Sequence, residues 1–558
     1  MSTSIFGPYT KTTENPELFK SEYLPKIEAY RKQLADNILD EYKLPEELIP
    51  KELGVDVTTI PAKFLNENEL KITESSGTEL VSKIAKGELT SVEVFKAFAK
   101  RATAAHQLTN CAMQLFTDEG LARAKELDEY YAKTGKTVGP LHGLPVSLKE
   151  HYNYKGKVTH GGYAALIDAV SEEWCLTVEI LLEAGAIFYI RTNEPQCLMH
   201  LCSNNNIVGL AKNPNKTDLT TGGSSSGEGA LIRMKGSVFG LGSDIGGSIR
   251  CPAAFCGVWG LRPSQKRLSM KNVTSSCQGA PESVICVLGP LARSAQDIDL
   301  FMSASLQGKP WERDANLIPM PWRNVSVPAA KDLKVAIMFD DGVVKPTPPI
   351  IRGLKLAEEK LKAAGVTVVE WKTLGDVEKL VATCGSMYNQ DANKGQKAML
   401  AKSGEPVMPL SDVCLSFGCG DNGVSISEQQ QLCAIRDNGR NDYQDKMKEL
   451  GIDYILSPAY VSVAPKQEKV KYWGYTNLWN ILDFPNVVFP TGLTCDPELD
   501  APVKDYKPRN DVEKYEYELY DDANEFKGAP ISLQLTGRRW FDEEVVKASQ
   551  VIHEIITA

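Results

Sequence analysis

Histidine is scarce in this chain, six residues in 558, and no Cys-x-x-Cys spacing of a zinc or dithiol site occurs. Runs of basic residues are also missing. Lys and Arg number 62 against 72 Asp and Glu, a formal net charge of −10. That balance lacks the cationic footprint of nucleic-acid binding and offers nothing to an anionic membrane. No apolar stretch approaches the ~18 residues of a membrane span. Met1 to Pro8 lack the basic and apolar regions of a secretory signal. The expectation is a cytoplasmic protein without nucleic-acid or membrane partners. Thirteen cysteines, an odd number set largely in apolar surroundings, read as reduced packing thiols. The Cys-x4-Cys pairs Cys197/Cys202, Cys251/Cys256 and Cys414/Cys419 sit at the edge of zinc-ligand spacing with few histidines to complete a site, so no metal is expected.

What is present is the composition of an ordinary globular enzyme, 42% hydrophobic and 24% charged. Phe19, Tyr23, Leu24, Ile27, Tyr30, Leu34, Ile38 and Tyr42 recur at helical spacing, which predicts a helical N-terminal extension until Pro45, Pro50 and Pro61 break it. Thr90 and Glu93 form a capping-box signal ahead of Val92, Phe95 and Phe98. Strand signals at 186–191, 335–339, 366–370, 454–457, 487–489 and 531–537 alternate with helical ones such as 350–364 and 542–556. This alternation predicts an α/β fold with a largely buried sheet. The polar stretch 495–529 reads as a surface excursion. Two units are expected, residues 1–64 as the helical extension and 65–558 as one catalytic domain.

The chemistry concentrates in Gly222-Gly223-Ser224-Ser225-Ser226-Gly227 and Gly242-Ser243-Asp244-Ile245-Gly246-Gly247-Ser248-Ile249-Arg250, with Gly143-Leu144-Pro145 and Lys149 upstream. Glycine turns let a backbone approach a reacting carbonyl, and a buried lysine can serve as the base that activates a serine. A phosphate cradle is disfavoured because no lysine follows in P-loop spacing, and Gly240-x-Gly242 lacks the dinucleotide spacing. Neither segment contains histidine, which disfavours a Ser-His-Asp triad. His142 and His151 flank Lys149 and read as structural or hydrogen-bonding groups. Cys251 next to Pro252 is a weaker nucleophile candidate, and the aromatic stretch 472–479 reads as core more readily than as an acyl pocket.

From Gly222 through Ser264 the chain resembles the amidase signature family, and Lys149 stands in the matching lysine motif. Thr192-Asn193, Asn213-Pro214, Leu261-Arg262-Pro263 and the segment 530–539 extend the likeness over about residues 65–556. Within the family it is most similar to fungal acetamidases and general amidases. The resemblance implies a three-layer α/β/α sandwich around a large mixed, mostly parallel sheet. It also implies a Ser-cisSer-Lys triad: Lys149 as base, Ser224 as relay after a cis peptide, Ser248 as nucleophile. Ile245, Gly246, Gly247 and Ser248 would form the oxyanion hole; Ser225, Asp244 and Arg250 would support it; Gly222 and Gly223 would touch substrate. No cofactor is implied. The implied substrates are small carboxylic amides, with aryl amides and carbamate esters such as ethyl carbamate alongside, and a homodimer is implied by resemblance alone. The alternatives are a subunit of an amidotransferase complex passing ammonia to a partner acting on charged tRNA, and a non-catalytic binding protein. Two departures stand out: Ser226 replaces a family glycine and Glu150 replaces the commoner aspartate.

Overall fold

The computed structural model describes residues 13–275, 283–417 and 422–558; Met1 to Pro8, Cys277 and Cys419 lie outside the described residues. Eleven strands make one sheet: β1 (Ala112–Leu115), β2 (Pro145–Lys149), β3 (Ile187–Thr192), β4 (Phe239–Asp244), β5 (Trp259–Arg262), β6 (Val287–Ala292), β7 (Lys334–Ile337), β8 (Thr367–Glu370), β9 (Tyr454–Pro458), β10 (Asn486–Thr494) and β11 (Pro530–Gly537). Their spatial order is β1-β3-β2-β4-β6-β5-β10-β11-β9-β7-β8. The sheet is mixed, as expected. β2 runs parallel to β3 and β4, and β7 runs parallel to β8 and β9. Antiparallel pairs join these groups through β6, β5, β10 and β11. All six strand signals read from the sequence fall on strands. β3 shows why: Ile187, Phe188, Tyr189 and Ile190 are β-branched or aromatic and buried on both faces.

Consecutive strand residues point to opposite faces, and β11 displays both layers. Ile531 lies against Gly353 in the helix Pro348–Ala363, whereas Ser532 Oγ donates to Ala254 O in the helix Arg250–Cys256 at 3.0 Å. The first layer adds the helix Asp542–Thr557 and the second the helix Ser226–Arg233. The capping box at Thr90 and Glu93 is present and opens the helix Ser91–Thr109.

The N-terminal extension departs from its expected length. Its regular helix, Leu24–Asp36, buries Ile27, Tyr30 and Leu34 but ends before Ile38. Asn37 donates its side-chain amide to Leu115 O (2.8 Å) and Leu39 turns extended. A tertiary hydrogen bond thus takes the chain out of the helix before Pro45 is reached. Tyr42, Leu44, Val57 and Ile60 then enter one apolar cluster with Phe95 and Leu108. No helix among the described residues is long and apolar enough to cross a membrane.

Because β2 and β4 are parallel neighbours, with Ser147 opposite Gly240 and Leu148 opposite Leu241, their carboxyl ends lie side by side. Lys149 ends one and Asp244 the other. Open α/β sheets place ligands at such strand ends.

Candidate active site

Lys149 is fully buried, and its Nζ lies 2.6 Å from Ser224 Oγ and 3.1 Å from Ser243 Oγ. The Gly223–Ser224 peptide is cis. Ser225 ties the two serine segments together: its N–H donates to Ser248 O (3.0 Å), and its hydroxyl donates to Ser243 O (3.3 Å) and accepts from Ser243 N (3.2 Å). Burial depresses the Lys149 ammonium to about 8, against the opposing pull of Glu194, the Cys286 thiol, Asp244 and Glu228. Two of these carboxyls are themselves shifted by burial. Burial raises Glu194 well above the usual range and Glu228 to about 7, although the hydroxyls of Ser147 (2.6 Å) and Thr192 (2.8 Å) donate to Glu228.

The loop before Ser248 is organised by Asp244. Its carboxylate accepts from the N–H groups of Gly247 (2.9 Å) and Ile249 (3.1 Å), from Asn480 (2.9 Å) and from two nitrogens of Arg250 (3.0 Å each). The Arg250 guanidinium holds that carboxyl far below the ordinary range despite complete burial. Gly247 has φ +129°, and a Cβ there would stand 2.5 Å from Thr476 Oγ1, so only glycine fits. Of the four expected oxyanion donors, Gly247 gives its N–H to Asp244. Ile245, Gly246 and Ser248 keep theirs without a partner among the described residues. The carbonyls on the far side of the loop are tethered: Thr476 Oγ1 donates to Gly246 O (2.6 Å), and Tyr388 Oη lies 2.5 Å from Ile245 O.

Ser224, Ser243 and Ser248 line a cavity of about 720 Å³ together with His151 and Ile245. Its walls are largely apolar, built from Leu198, Met199, Leu268, Val284 and Met387, with Lys266, Lys271 and Arg313 also lining it. Gly222 and Gly223 do not line it. A Cβ on Gly223 would sit 2.0 Å from Cys202 O, and one on Gly222 (φ +77°) would sit 2.9 Å from Cys251 C. These glycines permit close backbone packing.

A family model described as amidase matches residues 93–546. The chain belongs to the amidase family. It is 38% identical over 540 residues to an acetamidase of Emericella nidulans and 37% identical over 538 residues to an acetamidase of Aspergillus oryzae, each alignment covering 94% of this chain and 97% of the relative. A solved structure named fatty acid amide hydrolase superposes with a TM-score of 0.95 at 48% identity, covering 99% of this chain and 98% of that one. This amidase is therefore a hydrolase acting on amides.

The two family departures have structural explanations in this amidase. Ser226 Oγ donates to Asn193 O (2.8 Å) and is buried away from the cavity, so it adds no second hydroxyl to the site. Glu150 accepts from the N–H groups of His160 (2.9 Å) and Gly161 (3.0 Å) and faces the Arg191 guanidinium at 3.4 Å. Glu150, His160 and Glu194 offer donor atoms within 4.8 Å of one another, but with Glu150 already engaged by N–H groups and a cation the cluster reads as a hydrogen-bonded ion pair. Burial pushes the Cys251 thiol well above its ordinary value, which disfavours it as a nucleophile. The aromatic stretch 472–479 enters a buried helix, Gly474–Leu482, which buttresses the loop through Thr476 and Asn480. Sequence reasoning missed Ser243, Tyr388 and Asn480. Only the adjacency of β2 and β4 would have flagged Ser243, and no spacing rule supplies that.

Proposed function

We propose that this chain hydrolyses carboxamides through a serine acyl-enzyme, with Ser248 as nucleophile, Ser224 as relay and Lys149 as base. The observation that carries the reading is the buried 2.6 Å contact between Lys149 and Ser224 on the wall of the cavity that Ser248 shares. Ser248 Oγ bonds to the carbonyl carbon, its proton passes to Ser224 Oγ, and the proton of Ser224 passes to Lys149 Nζ. The carbonyl electron pair collects on oxygen, facing the N–H groups of Ile245, Gly246 and Ser248. Collapse breaks the C–N bond and returns the proton through Ser224 to the leaving nitrogen. Water then repeats the sequence on the ester and regenerates Ser248. A carbamate ester would follow the same steps.

Only uncharged lysine has a lone pair to accept the proton, so activity is absent while Lys149 is an ammonium and present once it is neutral. With the ammonium depressed to about 8, kcat/KM is expected to rise with pH and level off above that value. A pH–rate profile that falls through this range would contradict the assignment of the base.

The cavity favours amides with an extended apolar or aryl acyl group over acetamide. Four heavy atoms leave most of about 720 Å³ unfilled, whereas cavities of this size ordinarily enclose drug-sized ligands. The similarity to a protein named fatty acid amide hydrolase supports the same substrate class. Each buried methylene contributes about 0.8 kcal/mol, so kcat/KM is expected to climb roughly fourfold per added carbon until the cavity is full. Hydrolysis of acetamide, hexanamide, decanamide, benzamide, a simple anilide and ethyl carbamate by the purified chain tests this. A preference that declines with chain length would overturn the substrate class. Silence on every amide until a partner protein is supplied would favour the amidotransferase reading.

A further inference from the structure

The geometry points to His151 and Ser243 as positioning residues that aim the lone pair of Lys149 at Ser224. The inference rests on the Ser248–Ser224–Lys149 reading above and adds to it the device that orients the base.

A neutral lysine amine has two N–H bonds and one lone pair. Two hydroxyls lie within reach of Lys149 Nζ, Ser224 at 2.6 Å and Ser243 at 3.1 Å. A hydroxyl can donate as readily as it accepts. If Ser243 donated to Lys149, it would occupy the lone pair that Ser224 needs. The neighbours of Ser243 decide the direction. Its Oγ lies 3.0 Å from His151 Nε2, and His151 Nδ1 lies 2.9 Å from the carbonyl oxygen of Thr274. A carbonyl only accepts, so Nδ1 carries the hydrogen. Burial and the adjacent Lys149 keep the ring uncharged, which leaves Nε2 as an acceptor. The Ser243 hydroxyl therefore donates to His151, and its oxygen is left to accept an N–H of Lys149. The lone pair of Lys149 is left for Ser224.

The surroundings hold this chain of bonds in place. Ser243 and His151 are each 3% exposed. Thr274 is anchored by its N–H on His151 O (2.9 Å) and its hydroxyl on Asn153 (2.9 Å). The Ser243 N–H is committed to Ser225 Oγ. The titratable groups acting on Lys149 from the surrounding elements are Glu194, Cys286, Asp244 and Glu228, with His151 beside it. None of the four supplies a hydrogen bond to Nζ.

A double-mutant cycle tests the inference. His151→Leu removes the acceptor and frees the Ser243 hydroxyl to turn onto Lys149; kcat is expected to fall roughly 100-fold with KM little changed. His151→Gln, whose side-chain oxygen reaches the place of Nε2, is expected to recover most of that loss. Ser243→Ala should cost about tenfold in kcat and shift the acid limb of the pH profile to lower pH, because the ammonium loses an acceptor. In the S243A background, adding H151L should cost nothing further, since the histidine acts only through that hydroxyl. A merely structural histidine would give additive losses, and that outcome overturns the inference. So does wild-type kcat in S243A, a variant that removes one oxygen and serves equally if H151L fails to fold. Lys149→Met run in parallel separates the two claims. If K149M is inactive while H151L and S243A behave as wild type, the positioning role alone falls. If K149M is active, the base assignment falls first.

Discussion

Replacing Ser248 or Lys149 with alanine is expected to lower amide hydrolysis by on the order of 10⁴–10⁶-fold, and combining the two changes to add almost nothing. Non-additivity follows from the chemistry. The serine hydroxyl is a weak nucleophile until its proton leaves, and the base has nothing to do once that hydroxyl is gone. Residual turnover would come from the free N–H groups of Ile245, Gly246 and Ser248, which act on the carbonyl oxygen whichever nucleophile attacks. Stability separates folding from chemistry. Lys149 is fully buried, so its truncation leaves a cavity, whereas Lys149→Met fills the space of the stem without the amine. An inactive K149M with an undisturbed unfolding midpoint, measured by thermal denaturation, places the defect in proton transfer. Turnover of K149M within about tenfold of wild type would remove lysine from the mechanism.

Arg250→Ala is expected to be the most destabilising single change near the site, at about 3–5 kcal/mol, because it strands the Asp244 carboxylate in the interior without its cation. Both side chains of this pair are fully buried, and two guanidinium nitrogens reach the carboxylate at 3.0 Å. The same guanidinium donates to Thr476 O (2.9 Å) and Asn480 Oδ1 (2.5 Å), so its loss also unfastens the helix Gly474–Leu482 from the loop. Activity should fall along with stability, since Asp244 holds the N–H of Gly247 immediately before Ser248. Arg250→Lys should recover only part of either, because an ammonium is a point charge that cannot offer the planar pair of donors. Denaturant unfolding of the two variants measures the first effect and hydrolysis of a preferred amide the second. An R250A protein as stable as the wild type would mean that Asp244 is satisfied by the backbone N–H groups and the Asn480 amide without its cation.

Much of the architecture was legible beforehand. Every strand signal fell on a strand, because β-branched and aromatic runs bounded by turn residues have few other uses in an α/β chain. The helix after Thr90 was legible because its cap is local: Thr90 and Glu93 satisfy each other's backbone N–H groups within one turn. The N-terminal helix was read too long, since its apolar spacing continues past Asp36 while a side chain from Asn37 is captured by Leu115 on a strand distant in sequence. At the site, Lys149, Ser224 and Ser248 could be singled out from residue type and family likeness. That Gly247 gives its N–H to Asp244, and that Gly222 and Gly223 serve packing against Cys202 and Cys251, could not.

By itself, the amino-acid sequence determined the residue types, the local turns, the strand and helix propensities and the family. All of these depend on neighbours within a few positions or on a contiguous motif. The tertiary structure alone decided that β2 lies beside β4, which puts the Lys149 amine behind two of the three serine hydroxyls, some 75 to 100 residues along the chain, that line one cavity. It also decided how large and how apolar that cavity is. Strand order and side-chain convergence follow from which distant surfaces bury best against each other, and no local pattern encodes that choice.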